Sequence, residues 1–215
     1  GEISFSDPEC DLKSNTLSTI NLLELSKKTD CKKFIYASTM SVYGDIESYL
    51  AVEDLKLNPK SFYAVGKLAS ENYMRIYQDT YDIKCVALRL FNCYGIGQNM
   101  DNLKQGMVSI FLAMALSGDE ILVKGSPKRF RDFVYIDDVV NAFVKSLNLD
   151  LDTFEVINVA SGKKTYVKEL INSITQNINK EIKVEYSNST LGDQFGIFGD
   201  NSKALKLLDW KPRMS

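Results

Sequence analysis

Lys33-Phe-Ile-Tyr-Ala-Ser-Thr39, then Ser61-Phe-Tyr-Ala-Val-Gly-Lys67, then Lys84-Cys-Val-Ala-Leu-Arg-Leu-Phe91 are the stretches that decide the fold. Lys33–Ser38 and Lys84–Phe91 are short apolar runs of the kind buried in parallel sheets. Residues 61–80 read as a helix with Pro59 just ahead of its start. Upstream, residues 11–28 carry Leu12, Leu17, Ile20, Leu23 and Leu25 at roughly helical spacing. Helix, strand, loop, helix, strand in that order predict an α/β fold with a parallel sheet.

Further along, the spacing predicts helices over 106–117, 136–147, 167–178 and 202–208 and strands over 120–124, 154–160 and 182–186. The 136–147 helix is expected to be capped by an Asp. The sequence shows no internal repeat and no low-complexity linker.

Composition narrows the chemistry. The chain has 215 residues, 45% hydrophobic and 25% charged, with a net charge of −2. Lys and Arg are scattered rather than striped, so no nucleic-acid partner is expected. No apolar run approaches the ~20 residues that span a bilayer, so no membrane partner is expected either. Cys10, Cys31, Cys85 and Cys93 lack metal-ligand spacing, which predicts no metal site and reduced thiols in a cytoplasmic setting. Histidine is absent. Ser-His-Asp and Cys-His hydrolysis are therefore excluded, and proton transfer near neutral pH must use a perturbed Tyr, Lys, Cys, Asp or Glu.

Tyr63 and Lys67 are such a pair. Four residues apart on a helix, they share a face, and a nearby cation favours a phenolate. Chance alone places about one Tyr-x-x-x-Lys in a chain of this composition, so the spacing needs support. Thr39 follows one apolar strand and Asn92 the other, and ligands of open parallel sheets bind outside the carboxyl ends of the strands. Taken singly, Thr39 reads as a turn former. Two polar strand ends flanking the Tyr63 helix in sequence make a better case for a site.

Phe34-Ile-Tyr-Ala-Ser-Thr-Met-Ser-Val-Tyr-Gly-Asp45 with Asn58-Pro-Lys-Ser-Phe-Tyr-Ala-Val-Gly-Lys-Leu-Ala-Ser-Glu71 resembles the extended short-chain dehydrogenase/reductase family, closest to its nucleotide-sugar epimerase and dehydratase branch. Leu88-Arg-Leu-Phe-Asn-Cys-Tyr-Gly95, the run from Arg129 to Val140, and Gly199–Ala204 through Trp210-Lys-Pro212 fit too. The resemblance implies a partial Rossmann-like doubly wound parallel sheet with a smaller α/β substrate-binding domain. Residues 1–95 would be the C-terminal part of the NAD-binding Rossmann domain. Residues 96–215 would be mainly substrate-binding, with 132–160 returning to the Rossmann domain.

By the same resemblance NAD is the cofactor. Tyr63 is the acid/base, Lys67 binds the nicotinamide ribose and lowers the tyrosine pKa, and Thr39 holds the reacting sugar oxygen. Asn15, Ala37, Ser38 and Leu90 join Tyr63 and Lys67 as cofactor contacts. Asn92, Arg131 and Asp193 join Thr39 as contacts to a nucleotide-sugar substrate. On the residues alone, Arg131 reads as an ordinary ion pair with Asp132 or Asp137. A homodimer through helices 11–28 and 61–80 is also implied.

The branch follows from what stands beside Thr39. The dehydratases of this family carry an Asp-Glu pair there, and this chain has Met40 and Ser41. Inversion at C4 of a UDP-sugar through a transient 4-keto intermediate needs only one acid/base, which favours an epimerase. A reductase or dehydratase of the same family, or a non-catalytic nucleotide-sugar-binding remnant, are the alternatives. An Arg-x-Gly-Asp stretch that often clamps the diphosphate reads Thr190-Leu-Gly-Asp193 here. The Gly-x-x-Gly-x-x-Gly turn that opens the family, whose N–H groups hold a pyrophosphate, does not occur in these residues. Gly95-Ile-Gly97 lacks the third glycine and the following helix. The chain is thus expected to lack the N-terminal glycine-rich half of the dinucleotide-binding domain.

Overall fold

The computed structural model describes residues 2–118, 120–178, 181–188 and 194–214. In chain order, α1 (Pro8–Leu12), a π-helical turn (Lys13–Leu17) and α2 (Ser18–Lys28) lead into β1 (Lys33–Thr39). A 3-10 turn (Met40–Tyr43) precedes β2 (Leu50–Ala51), α3 (Phe62–Tyr81), β3 (Lys84–Leu90) and β4 (Asn92–Tyr94). Next come α4 (Met107–Ser117), β5 (Glu120–Lys124), β6 (Phe130–Arg131), β7 (Phe133–Tyr135), α5 (Ile136–Leu147) and β8 (Glu155–Val159). The last elements are β9 (Thr165–Tyr166), α6 (Val167–Asn177), β10 (Lys183–Ser187), β11 (Phe198–Gly199) and α7 (Ser202–Leu208).

β1, β3 and β8 form a parallel sheet in that order, with Ser38 opposite Arg89 and Thr39 opposite Leu90. Side chains alternate across such a sheet. Tyr36, Cys85 and Ala87 face one way and pack with Leu23 of α2 and Met74 of α3. Val86, Leu88, Ile157 and Val159 face the other way, onto Val139 and Ala142 of α5 and Ala204 and Leu208 of α7. Helices thus cover both faces, as a doubly wound sheet requires. The fully buried Trp210 closes the second core, its indole N–H donating 2.8 Å to the Asp138 carbonyl.

A smaller α/β unit packs around β5 and β10, which are parallel. Phe111 and Ala115 of α4 and Val167, Ile171 and Ile174 of α6 bury Ile121 and Val123 there. Among the described residues no helix is long and apolar enough to cross a membrane, and no cluster of metal-ligating side chains occurs.

One local reading is refined and one corrected. The helix expected over 11–28 runs without a break from Pro8 to Lys28, and its Lys13–Leu17 turn is π-helical and packs on α3 where Gly66 leaves room. A Cβ at Gly66 would lie 3.1 Å from Thr16 Oγ1, and Thr16 donates 3.1 Å to the Gly66 carbonyl. The helix at 136 has Tyr135 as its N-cap without a side-chain cap bond, while Asp137 and Asp138 fall in its first turn. Asp138 instead accepts from the N–H groups of Arg213 and Met214, each at 3.0 Å.

Candidate active site

Ser61 caps α3 by accepting from the Ala64 N–H at 3.2 Å, which fixes where the helix starts beside the sheet. From there Tyr63, Lys67 and Glu71 recur every four residues along one stripe. Each meets the end of β1. The Tyr63 phenol and the Thr39 hydroxyl line the same cleft. The Lys67 ammonium donates to the Ala37 carbonyl at 3.0 Å, lying 4.7 Å from the Tyr36 ring centre and 5.7 Å from that of Tyr63. Glu71 accepts from the Ser38 hydroxyl at 2.5 Å.

A cleft of about 390 Å³ opens at the carboxyl ends of β1 and β3, lined by Asn15, Thr39, Tyr63, Leu90 and Asn92 among others. These five, expected from sequence, come from the π turn, two strand ends, α3 and β4. Thr39 is buried and accepts from the Ser41 N–H at 3.2 Å. Asn92 donates to the Asp132 carbonyl at 3.0 Å and approaches Met40 Sδ at 3.7 Å. Asn15 donates to the Asp11 carbonyl at 3.1 Å.

The electrostatics differ from expectation. Burial pushes the Tyr63 phenol above its ordinary value; the Thr39 hydroxyl opposes this, and Tyr36 and Asp11 add to it. The expected lowering by Lys67 is replaced by a rise. Burial also lowers the Lys67 ammonium, with Asp11 opposing. The half-buried Lys67 donates to the Ala37 carbonyl and lies nearer the Tyr36 ring than the Tyr63 ring.

Other expected contacts lie elsewhere. Ala37 meets Lys67 through its carbonyl. Ser38, expected at the cofactor, points to the opposite face of β1 from Thr39 and bonds Glu71, because adjacent residues of a strand cannot share a face. Arg131 is buried and is not among the residues lining the cleft. Its guanidinium donates to the carbonyls of Phe130 (2.8 Å), Gln194 (2.7 Å) and Phe195 (3.3 Å). Burial, with Arg129 nearby, lowers it to about 10. Asp132 is held by Ser161 N–H, Ser161 Oγ, Gly162 N–H and Gly199 N–H at 2.6–3.1 Å. Gln194 and Phe195 also line a larger cavity of about 760 Å³, so Arg131 supports its wall. Asp193 lies outside the described residues.

Sequence reasoning missed Asp11, Ser41, Lys104 and Gln105, which also line the cleft. Asp11 stands one turn before Asn15 on the same helical run, a signal the spacing offered. Lys104 and Gln105 come from a loop with no comparable signal.

A family model described as the NAD dependent epimerase/dehydratase family matches residues 2–160. The chain is 32% identical over 213 residues to the UDP-glucose 4-epimerase of Mycolicibacterium smegmatis, covering 99% of this chain and 67% of that protein. The UDP-glucose 4-epimerase of Thermotoga maritima, solved with UDP-glucose, superposes with a TM-score of 0.92 at 32% identity over 99% of this chain and 69% of that one. The Thermus thermophilus UDP-glucose 4-epimerase solved with NAD gives 0.90 at 29% identity, covering 100% and 70%. The chain therefore spans about two thirds of the length of these relatives.

Proposed function

This chain belongs to the NAD dependent epimerase/dehydratase family, and we propose that it acts as an NAD-dependent nucleotide-sugar 4-epimerase on a UDP-sugar. The observation that carries this is the cleft where Thr39, Tyr63 and Asn92 meet at the strand ends with Met40, not an acid, beside Thr39. Elimination of water needs a further acid/base at that place, and neither Met40 nor Ser41 supplies one.

The residues present fit the nicotinamide-ribose end of NAD. Asp11 Oδ2 is buried against the cleft without a hydrogen-bond partner among the described residues, which suits a sugar hydroxyl. Lys67 and Asn15 add donors beside it. Bound there by Asp11, Asn15 and Lys67, NAD would supply a reversible hydride acceptor for the sugar carbon. Tyr63 removes the proton from the C4 hydroxyl and later gives it back. Thr39 holds that oxygen against the phenol, and Asn92 borders the sugar.

The same chain forms a homodimer in this reading. Leu12, Leu22, Leu25, Phe62, Val65 and Ile76 are each at least half exposed on α1, α2 and α3, and a large apolar patch favours a partner. The four free thiols, two of them exposed, suit the reducing cytoplasm. The test is incubation of the protein with NAD and UDP-, dTDP-, GDP- and CDP-sugars, followed by NMR of the sugar ring. Inversion at C4 without net oxidation supports the epimerase; no inversion there, but consumption of NADH in a parallel reaction that supplies NADH and a 4-keto nucleotide sugar, would assign a reductase instead.

A further inference from the structure

We propose that Ser38, Glu71 and Arg89 form a buried latch that sets the position of Thr39 against Tyr63, making Ser38 and Glu71 positioning residues for the reaction. The inference rests on the epimerase reading for the reaction, not for the latch itself.

The geometry starts from the sheet register. Ser38 and Arg89 are direct partners across β1 and β3, one step before the pair Thr39 and Leu90 that lines the cleft. Both therefore point to the α3 face, and both end on one carboxylate. Glu71 Oε1 receives Ser38 Oγ at 2.5 Å and Arg89 Nε at 3.0 Å, while Oε2 receives Arg89 Nη2 at 2.8 Å. Glu71 and Arg89 side chains are each 4% exposed. Bidentate, charge-assisted bonds of this kind are directional, so they fix rotation and slide of α3 along β1.

Arg89 is itself immobilised. Its Nη1 donates to the Glu53 carbonyl at 3.1 Å, and its guanidinium stacks 4.8 Å from the Tyr43 ring centre. Tyr43 donates to Asn158 Oδ1 at 2.7 Å, tying the latch to β8. Glu71 lies two turns beyond Tyr63 on the same stripe, about 12 Å along the helix at 1.5 Å per residue. A shift of α3 at Glu71 is thus transmitted along a stiff rod to the phenol. Such a network costs desolvation of two charges, and its placement one residue from Thr39 gives that cost a use.

The experiment is Ser38→Ala, which removes one hydroxyl and leaves the Glu71–Arg89 ion pair in place. Turnover is expected to fall by roughly 10- to 100-fold, the scale of small misplacements at a reacting centre, with KM for the UDP-sugar within about twofold. Ser38→Thr, which keeps the hydroxyl, is expected to restore turnover. A second readout does not depend on turnover: titration of Tyr63 in protein carrying 13Cζ-tyrosine, assigned with Tyr63→Phe. The Thr39 hydroxyl beside the phenol works against the rise that burial causes, so moving it away shifts the Tyr63 midpoint further upward. The other charged or titratable groups facing the phenol are Tyr36 on β1, Asp11 on α1, Lys67 on α3 and Lys104 from the loop before α4, all unchanged by the substitution. A Tyr63 midpoint that stays put in Ser38→Ala overturns the latch, whatever happens to turnover. Wild-type protein without C4 inversion overturns the epimerase reading alone, since the titration still decides the latch.

Discussion

Replacing Arg89 by Met leaves the Glu71 carboxylate charged in a pocket where it is 4% exposed. The substitution also removes the bond to the Glu53 carbonyl and the stack on Tyr43. Burial works against the Arg89 charge, yet the hydrogen bonds and charge of Glu71 outweigh it and hold the guanidinium above its ordinary value. Breaking one side of a buried ion pair costs about 3–5 kcal/mol. At about 2–4 °C per kcal/mol for a chain of this size, the thermal midpoint should fall by roughly 6–20 °C. Glu71→Leu should cost a similar amount, because it strands the guanidinium instead. The double variant removes both charges and should be more stable than either single one. Thermal melts and urea titrations of all four proteins give the coupling directly. A double variant that loses the sum of the two single losses would refute the reasoning, since the two groups would then not be partners.

Gly44 has φ +65°, and a Cβ there would lie 1.8 Å from the Asn58 carbonyl oxygen; Gly44→Ala should cost at least about 2 kcal/mol in urea titration. At pH 8 a disulfide reagent should label the exposed Cys10 and Cys31 quickly. Cys85, pushed up by burial to about 12, should react only after unfolding, as timed absorbance would record. If the proposed homodimer forms through this face, Val65→Lys on the exposed apolar side of α3 should give a monomer by light scattering, with the far-UV circular dichroism retained; an unchanged mass would count against the proposed interface.

The main sheet and its helices were legible because each is long enough to show its own period: β1 and β3 as apolar runs, α3 as a long helix starting just after Pro59. Short pairs such as β2 with β11 and β6 with β9 were not, since two-residue strands are defined by distant partners and carry no pattern. The π turn was hidden for the same reason: it follows from the close approach of Thr16 to Gly66, fifty residues away. At the site, Asn15, Thr39, Tyr63, Leu90 and Asn92 converge as read from sequence. Ser38 does not, and strand alternation already argued that it and Thr39 face opposite ways. Arg131 shows a different limit: a guanidinium suited to phosphate is equally suited to three carbonyls, and only the burial decides where its donors go. The rise in the Tyr63 pKa reflects burial, which no spacing reports.

The most direct measurement follows C4 inversion of UDP-glucose by NMR, with NAD supplied, in wild-type protein and in Tyr63→Phe. Loss of a positioned acid/base typically costs about 10²–10⁴-fold, so the variant should lose turnover by that much while still binding the UDP-sugar by calorimetry. Inversion by Tyr63→Phe at the wild-type rate would contradict the assignment of Tyr63 as the group that moves the proton.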